Sequence, residues 1–235
     1  MGMADMFLKL ALLLCCLTVP CAAQAIELRI VLFDVSPYAS VGSDGKTPEG
    51  IYVDLVKRLV QSAGHTARFE IVPFARVSVL LETEQADLTI GFSTSRLEQV
   101  AVPLASIRTV SSVVLLGKGK SANRAEDLAA LEIGRLRGGC KDLFDDKKVA
   151  VVPNEINGMG SGVRMLAAGR IHGLCATQDA IEYVMTQERL DRSLFGNWLK
   201  LSEREAFLHA GKHVPGEVRE SLQRAVARLR KEGRL

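Results

Sequence analysis

The chain has 235 residues, a formal net charge of +3 and a hydrophobic fraction of 48%. This composition is typical of a globular chain with one or two domains' worth of core. The basic residues are spread along the chain and form no basic stripe with interleaved aromatic residues. The sequence therefore lacks the pattern that is typical of nucleic-acid-binding proteins.

Residues 1–25 have the features of a secretory signal. A largely apolar run from Leu10 to Val19 is followed by Ala23-Gln24-Ala25, which has the small-x-small form of a signal-peptidase site. The run is shorter than the roughly 20 residues that a membrane-spanning helix needs. We therefore expect cleavage after Ala25 and a periplasmic mature protein. A lipid anchor on Cys21 is the alternative, but Pro20 stands where a small residue should be.

Strands and helices are predicted to alternate through the first half of the mature chain. The segment IELRIVLFDV alternates and then becomes apolar, which is typical of a strand, and it ends at the turn residues Ser36 and Pro37. Apolar residues at helical spacing from Ile51 to Val60, with Gly64 beyond them, predict a helix. The next three segments predict a strand, a helix and a strand: ARFEIVPF, ARVSVLLETEQ and ADLTIGF. This alternation predicts a parallel sheet with helices on its faces.

The second half repeats the alternation in a different order. Predicted strands are SSVVLLGKG, EIGRLRGG, KVAVVPN and RIHGLCATQD, and predicted helical segments are NRAEDLAAL, CKDLF and GVRMLAAG. An extended segment, EAFLHAGKHVP, precedes a final helix with Val218, Leu222, Val226 and Leu229 on one face. The order predicts a second α/β unit inserted into the first, with two crossings and a cleft between them.

The order and spacing of these segments resemble a known family. After the signal and the first strand come SPY, DGKTPEGIYVDLVKRLVQSAG, VPFARVSVLLETEQADLTIG, TSR, AEDLAALEIGRLRGG, AAGRIHGLCATQDA and LHAGKHVPGEVRESLQRAVARLRKEG. Together they are similar to the periplasmic solute-binding proteins of family 3, the polar amino-acid-binding type. The likeness extends over nearly all of the mature chain.

The resemblance implies a type II periplasmic binding protein fold, with two α/β lobes joined by two hinge crossovers. Lobe 1 would comprise residues 26–116, completed by residues 205–235, which return to it with the C-terminal helix. Lobe 2 would comprise residues 117–204. Hinge closure around a ligand would favour the closed state only when the ligand is present.

The resemblance also implies a function. The protein would be a monomer that captures an amino acid or related small organic acid between its lobes and delivers it to an inner-membrane ABC permease. It would not be an enzyme and would need no cofactor or metal. Two alternatives stay open: a ligand-sensing module without transport, and a periplasmic dehydratase-like enzyme with Asp34 or Glu49 as its acid.

Two charged residues match the family's contacts to an amino-acid head group. Arg96 follows the third strand in STSR, and a guanidinium can donate two parallel hydrogen bonds to a carboxylate. Asp179 follows a later strand and matches the aspartate that binds the ligand's ammonium. The structural alternatives are an Arg96 that is solvated or paired with Glu98, and an Asp179 that caps a helix.

Other candidates surround this pair. Gly138, Gly139 and Cys140 stand between a strand and a helix start, where backbone N–H groups can donate to an anion, although a simple turn explains them equally well. The resemblance further suggests an aromatic wall at Tyr38, with Phe92 and Phe74 behind it, and it places Arg76 and Asp34 at the cleft. A core role for Phe92 and a surface ion pair for Arg76 are the alternatives.

The cysteines and histidines give no pattern of metal ligands. His172 and Cys175 are three residues apart on a strand and so face opposite sides. Cys140 and Cys175 remain after signal removal, in an oxidising compartment that permits a disulfide. Both a bond between them and two separate buried thiols are compatible with the sequence.

Overall fold

The structure is a computed structural model that describes residues 25–235. The expected signal segment and its alternative lipid site at Cys21 lie outside the described residues. Within residues 25–235, no helix has both the length and the apolar character that a membrane span requires.

Ten strands and seven α-helices make up the described chain. The strands are β1 (Glu27–Phe33), β2 (Ser40–Val41), β3 (Pro48–Glu49), β4 (Thr66–Val72), β5 (Leu88–Phe92), β6 (Ala101–Gly117), β7 (Glu132–Leu136), β8 (Val152–Ile156), β9 (Gly173–Thr177) and β10 (Phe195–Gly211). The helices are α1 (Ile51–Ser62), α2 (Arg76–Glu82), α3 (Ser95–Val100), α4 (Lys141–Asp146), α5 (Met159–Ala167), α6 (Gln178–Gln187) and α7 (Gly216–Lys231). Short 3-10 turns lie at Ala125–Leu128 and Arg192–Leu194.

Eight strands form one mixed sheet in the order β4-β1-β5-β10-β6-β9-β7-β8. On one side β1 is parallel to β4 and β5, and on the other β7 is parallel to β8 and β9. We call β4, β1 and β5 the first strand group and β9, β7 and β8 the second. The long strands β6 and β10 are antiparallel to each other and join the two groups into a continuous sheet.

Amphipathic helices cover the sheet, as their apolar spacing predicts. The buried face of α1 includes Val56 and Leu59, and that of α7 includes Leu222 and Val226. These residues share one hydrophobic core with the strands of the first group and with α5 and α6 of the second half. Burying such faces is the main stabilising contribution to helices of this length, because isolated short helices are marginal in water.

A buried carboxylate fixes the edge of the first strand group. Asp87, just before β5, accepts hydrogen bonds from the Arg29 backbone N–H at 2.7 Å and its Nε at 3.0 Å, and lies 3.0 Å from His213 Nε2. Burial by itself would raise the pKa of Asp87, but the hydrogen bonds from Arg29 and His213 outweigh it and lower the pKa. Asp87 therefore ties β1, the start of β5 and the segment after β10 together.

Candidate ligand-binding site

A cavity of about 110 Å³ lies between the two strand groups. Four of its lining residues stand at the carboxyl ends of parallel strands: Phe33 on β1, Phe92 on β5, Leu136 on β7 and Thr177 on β9. Open α/β sheets place their ligands at this edge, because the strand ends and the following loops converge there. The long strands contribute Val110, Ser112, Arg204 and Ala206 to the lining.

One wall of the cavity is aromatic. Its rings belong to Phe33, Tyr38, Tyr52, Phe74 and Phe92. Tyr38 and Tyr52 stack at 4.9 Å between centroids, and Phe33 meets Phe74 edge to face at 5.6 Å. These separations are typical of favourable aromatic pairs, so the rings hold one another in place without a ligand.

A hydrogen bond closes the cavity across the two strand groups. The Tyr38 hydroxyl, in the loop after β1, donates to Thr177 Oγ1 at the end of β9 at 3.0 Å. Burial raises the pKa of Tyr38 to about 12, so its hydroxyl is a neutral donor at any physiological pH. The described conformation is therefore one in which the two groups are in direct contact over the cavity.

Arg204 brings a positive charge into this largely apolar cavity. It lies on β10 with its guanidinium 4.4 Å from the centroid of the Phe92 ring, a distance suited to a cation–π contact. Its Nε is buried without a hydrogen-bond partner, and within residues 25–235 the guanidinium forms no ion pair. Burial lowers the pKa of Arg204, and the negative charges of Asp142 and Asp146 oppose that change. No motif in the sequence points to Arg204.

The glycine loop after β7 also lines the cavity. Gly138, Gly139 and Cys140 all contribute to it, and Gly138 has a φ of 76° that favours glycine. Cys140 is bonded to Cys175 on β9, with 6.4 Å between the Cα atoms. The disulfide that the sequence left open is thus formed, and it ties this loop to the neighbouring strand.

Arg96 does not line the cavity. It is the second residue of α3, and its guanidinium forms an ion pair with Glu82 on α2 and a 3.4 Å hydrogen bond to Gln99 Oε1. About half of its side chain is exposed, because α3 turns this face outward over α2. The partner is Glu82 rather than Glu98, and a ligand contact at Arg96 would require the guanidinium to leave it.

Asp179 also lies outside the cavity lining. It is in the first turn of α6, where Thr177 rather than Asp179 is the N-cap residue. Its Oδ2 accepts from Arg108 Nη2 on β6 at 2.7 Å. Arg108 is therefore already the cationic partner of Asp179. The sequence predicted that a ligand ammonium would take this place.

Some of the remaining predicted site residues line the cavity and others lie outside it. Tyr38, Phe92 and Phe74 lie in the aromatic wall. Arg76 and Asp34 are exposed and outside the lining, and so is Glu49. Within the described part of the chain, no three His, Cys, Asp or Glu side chains are grouped so that they could hold a metal ion.

No protein-family model and no curated protein matches the chain. Solved structures do. The arginine-bound, truncated arginine-binding protein from T. maritima is 15% identical with a TM-score of 0.71, over 86% of this chain and 96% of that chain. The substrate-binding protein of an amino acid ABC transporter is 13% identical with a TM-score of 0.72, over 88% and 95%.

A third match is an ancestral amino acid-binding protein described as a precursor of cyclohexadienyl dehydratase. It is 14% identical with a TM-score of 0.72, over 88% of this chain and 91% of that chain. These matches establish the fold. The chain has the two-lobed α/β fold of periplasmic binding proteins, as the sequence predicted.

Proposed function

We propose that this chain is a periplasmic solute-binding protein that captures an amino acid or a related small organic acid in the cavity between its two strand groups. It would act as a monomer and deliver the ligand to an inner-membrane ABC permease, after removal of residues 1–25. The lobes would be residues 26–116 with 205–235, and residues 117–204.

The observation that carries this proposal is the guanidinium of Arg204. A buried donor without a partner costs free energy, about 1 to 3 kcal/mol when it is left unsatisfied. A ligand carboxylate would satisfy it with charge-assisted hydrogen bonds that are strong in a cavity shielded from water. We therefore assign the anion contact to Arg204 and not to Arg96, which is held by Glu82.

Hinge closure supplies the capture mechanism. The aromatic wall comes from the first strand group and its connections, whereas Thr177, Leu136 and the loop with Gly138 come from the second. A ligand that touches both sides stabilises only the closed state, and its binding shifts the population toward that state. The Tyr38–Thr177 hydrogen bond would form on closure and break on opening.

A thermal-shift screen against amino acids and small organic acids tests the proposal. A ligand present at 100 times its Kd should stabilise the protein by about 2.7 kcal/mol. Arg204→Met should bind the best ligand at least tenfold more weakly, because the ligand's buried charge then lacks its partner. The methionine retains an apolar contact with Phe92, so the unliganded variant should unfold at no lower temperature than the wild type.

Arg224→Gln is the matched control, because Arg224 is exposed on α7, where it pairs with Glu220. It should bind as the wild type does. Absence of any stabilising acid in the screen would contradict capture of such solutes, and unchanged affinity in Arg204→Met would contradict the assigned contact.

A dehydratase-like enzyme is the second candidate, favoured by the likeness to a dehydratase precursor. Its acid would be Asp142, which lines the cavity, and not Asp34 or Glu49, which are exposed outside it. Incubation with prephenate separates the two functions. An enzyme releases product, whereas a binding protein returns the acid unchanged.

A further inference from the structure

We infer that the ligand is a carboxylic acid with a small apolar body, such as one ring or a short branched chain, and not a polar or cationic amino acid. This inference rests on the proposed function. It follows from what the cavity offers to the part of the ligand that lies beyond its carboxylate.

The surface that would meet the ligand's body is almost wholly apolar. The aromatic wall faces Val110 on β6, Leu136 on β7 and Met159 at the start of α5. A polar group placed against such walls loses its hydrogen bonds to water and gains none, which costs several kcal/mol. An apolar group gains about 0.8 kcal/mol for each methylene that it buries.

Half of the eight polar side chains in the lining are engaged already. Thr177 Oγ1 accepts from the Tyr38 hydroxyl, and Thr94 Oγ1 accepts from the Leu97 N–H at the start of α3. Lys141 Nζ is bonded to Asp145 at 2.5 Å. A guanidinium or amide at the end of a long ligand side chain would find few free partners.

One carboxylate, Asp142, lines the cavity, but two cations lie close to it. Lys141, the neighbour of Asp142 in the chain, and Arg204 both line the cavity with it. Burial lowers the pKa of Arg204, and the negative charge of Asp142 opposes that change. A second guanidinium brought in by the ligand would be repelled by Arg204, whereas the charge of Lys141 is offset by Asp145. Arg204 thus disfavours a cationic ligand side chain placed beside it.

The cavity volume limits the size of the body. The volume is about 110 Å³. An engineered apolar cavity of about 150 Å³ holds one benzene molecule, so the part of the body enclosed here should be no larger than one such ring. The branched end of 4-methylpentanoate fits within this limit. The single ring of 3-phenylpropanoate is at the limit and fits when its two methylenes lie between the ring and a carboxylate on Arg204.

Calorimetric titration of the full-length mature protein tests the inference with six probes: acetate, butanoate, hexanoate, 3-phenylpropanoate, phenylalanine and arginine. Affinity should rise by about fourfold for each added methylene from acetate to hexanoate. The ring-bearing acids, with or without the amino group, should bind at least tenfold more tightly than arginine. Binding should also show a negative heat-capacity change.

A matched pair of variants locates the apolar contact. Val110→Thr replaces a methyl group of the cavity wall with a hydroxyl of nearly equal size. It should weaken the binding of 3-phenylpropanoate severalfold. Val79→Thr makes the same change at an exposed site on α2 and should leave binding unaltered. Tighter binding of arginine than of 3-phenylpropanoate would overturn the inference while leaving the proposed function intact. If no acid or amino acid binds, the proposed function fails and the inference with it.

Discussion

His209 is a fully buried histidine on β10, and it is held in the neutral form. Its Nδ1–H donates to the Phe207 carbonyl oxygen at 3.1 Å, so its Nε2 accepts from the Ser93 hydroxyl at 3.0 Å. Burial lowers the pKa of His209 to about 4, against a partial opposing effect of the Phe207 carbonyl. Protonation would place a charge in the core with no anionic partner among its hydrogen-bonding groups.

This histidine should make the folded protein sensitive to acid. The unfolded chain binds the proton at pH values near 6.5, whereas the folded chain resists it down to about 4. The free energy of unfolding is therefore unaffected by this group above pH 6.5. It decreases as the pH falls from about 6.5 through about 4, by about 3 kcal/mol in total. His209→Gln cannot titrate and should lack this component of the pH dependence.

The measurement is the free energy of unfolding by denaturant of both proteins at a series of pH values from about 7.5 down to about 4. The variant is less stable at pH 7.5, because it loses the two hydrogen bonds, and the gap should narrow as the pH falls. Parallel pH profiles would show that His209 is not the group responsible.

The two arginines show what the sequence could and could not reveal at this scale. Arg96 stands after a strand in the expected motif, yet the outward face of α3 directs it to Glu82. Arg204 lies in SEREAF, a charged segment that suggests an exposed loop or strand end. Arg204 lies two residues before the buried Ala206, and residues two apart on a strand share a face. This relation alone indicates that Arg204 points inward.

The disulfide links two elements of the site. It joins the loop between β7 and α4 to β9 and closes a loop with a sequence separation of 35. Constraint of the unfolded chain by a loop of this length contributes about 2 to 4 kcal/mol to stability. It also holds Cys140 and the adjacent Gly139 against the cavity.

Replacing both Cys140 and Cys175 by alanine should therefore lower the free energy of unfolding by about 2 to 4 kcal/mol. Denaturant titration of the variant and of oxidised wild type measures the loss. Wild type treated with a reductant serves as the control and should approach the variant. An unchanged unfolding midpoint in both would show that the bond does not constrain the chain.

Most elements could be predicted from periodicity, but the two long strands only in part. The sequence predicted extended structure at residues 111–119 and 205–215, whereas β6 begins at Ala101 and β10 at Phe195. The first part of β6 contains Pro103 and partly exposed residues, and β10 has register shifts against β6. Such irregular pairing hides the two-residue period on which strand prediction depends.

At the scale of the molecule, the sequence predicts two α/β units. The strands β6 and β10 join the strands of both units into one continuous sheet. The cavity lies beside these strands. The hydrogen bond between Tyr38 and Thr177 closes it, and the ion pair of Arg108 on β6 with Asp179 on α6 lies beside Tyr38. The fold followed from the order of the segments, and the family resemblance suggested Tyr38, Phe92 and Phe74 as aromatic candidates. The charged contact that we propose at Arg204 followed from neither, because it depends on how α3 and β10 orient their side chains.

The central claim is that a small carboxylic acid binds between the two strand groups with its carboxylate on Arg204. A crystal structure of the protein with the tightest-binding acid of the titration tests it most directly. We expect the ligand's carboxylate oxygens about 2.7 to 2.9 Å from the Arg204 guanidinium nitrogens, with the body against the aromatic wall and the Tyr38–Thr177 bond retained. A carboxylate bound to Arg96, with Glu82 displaced, or a ligand outside the cavity would contradict the claim.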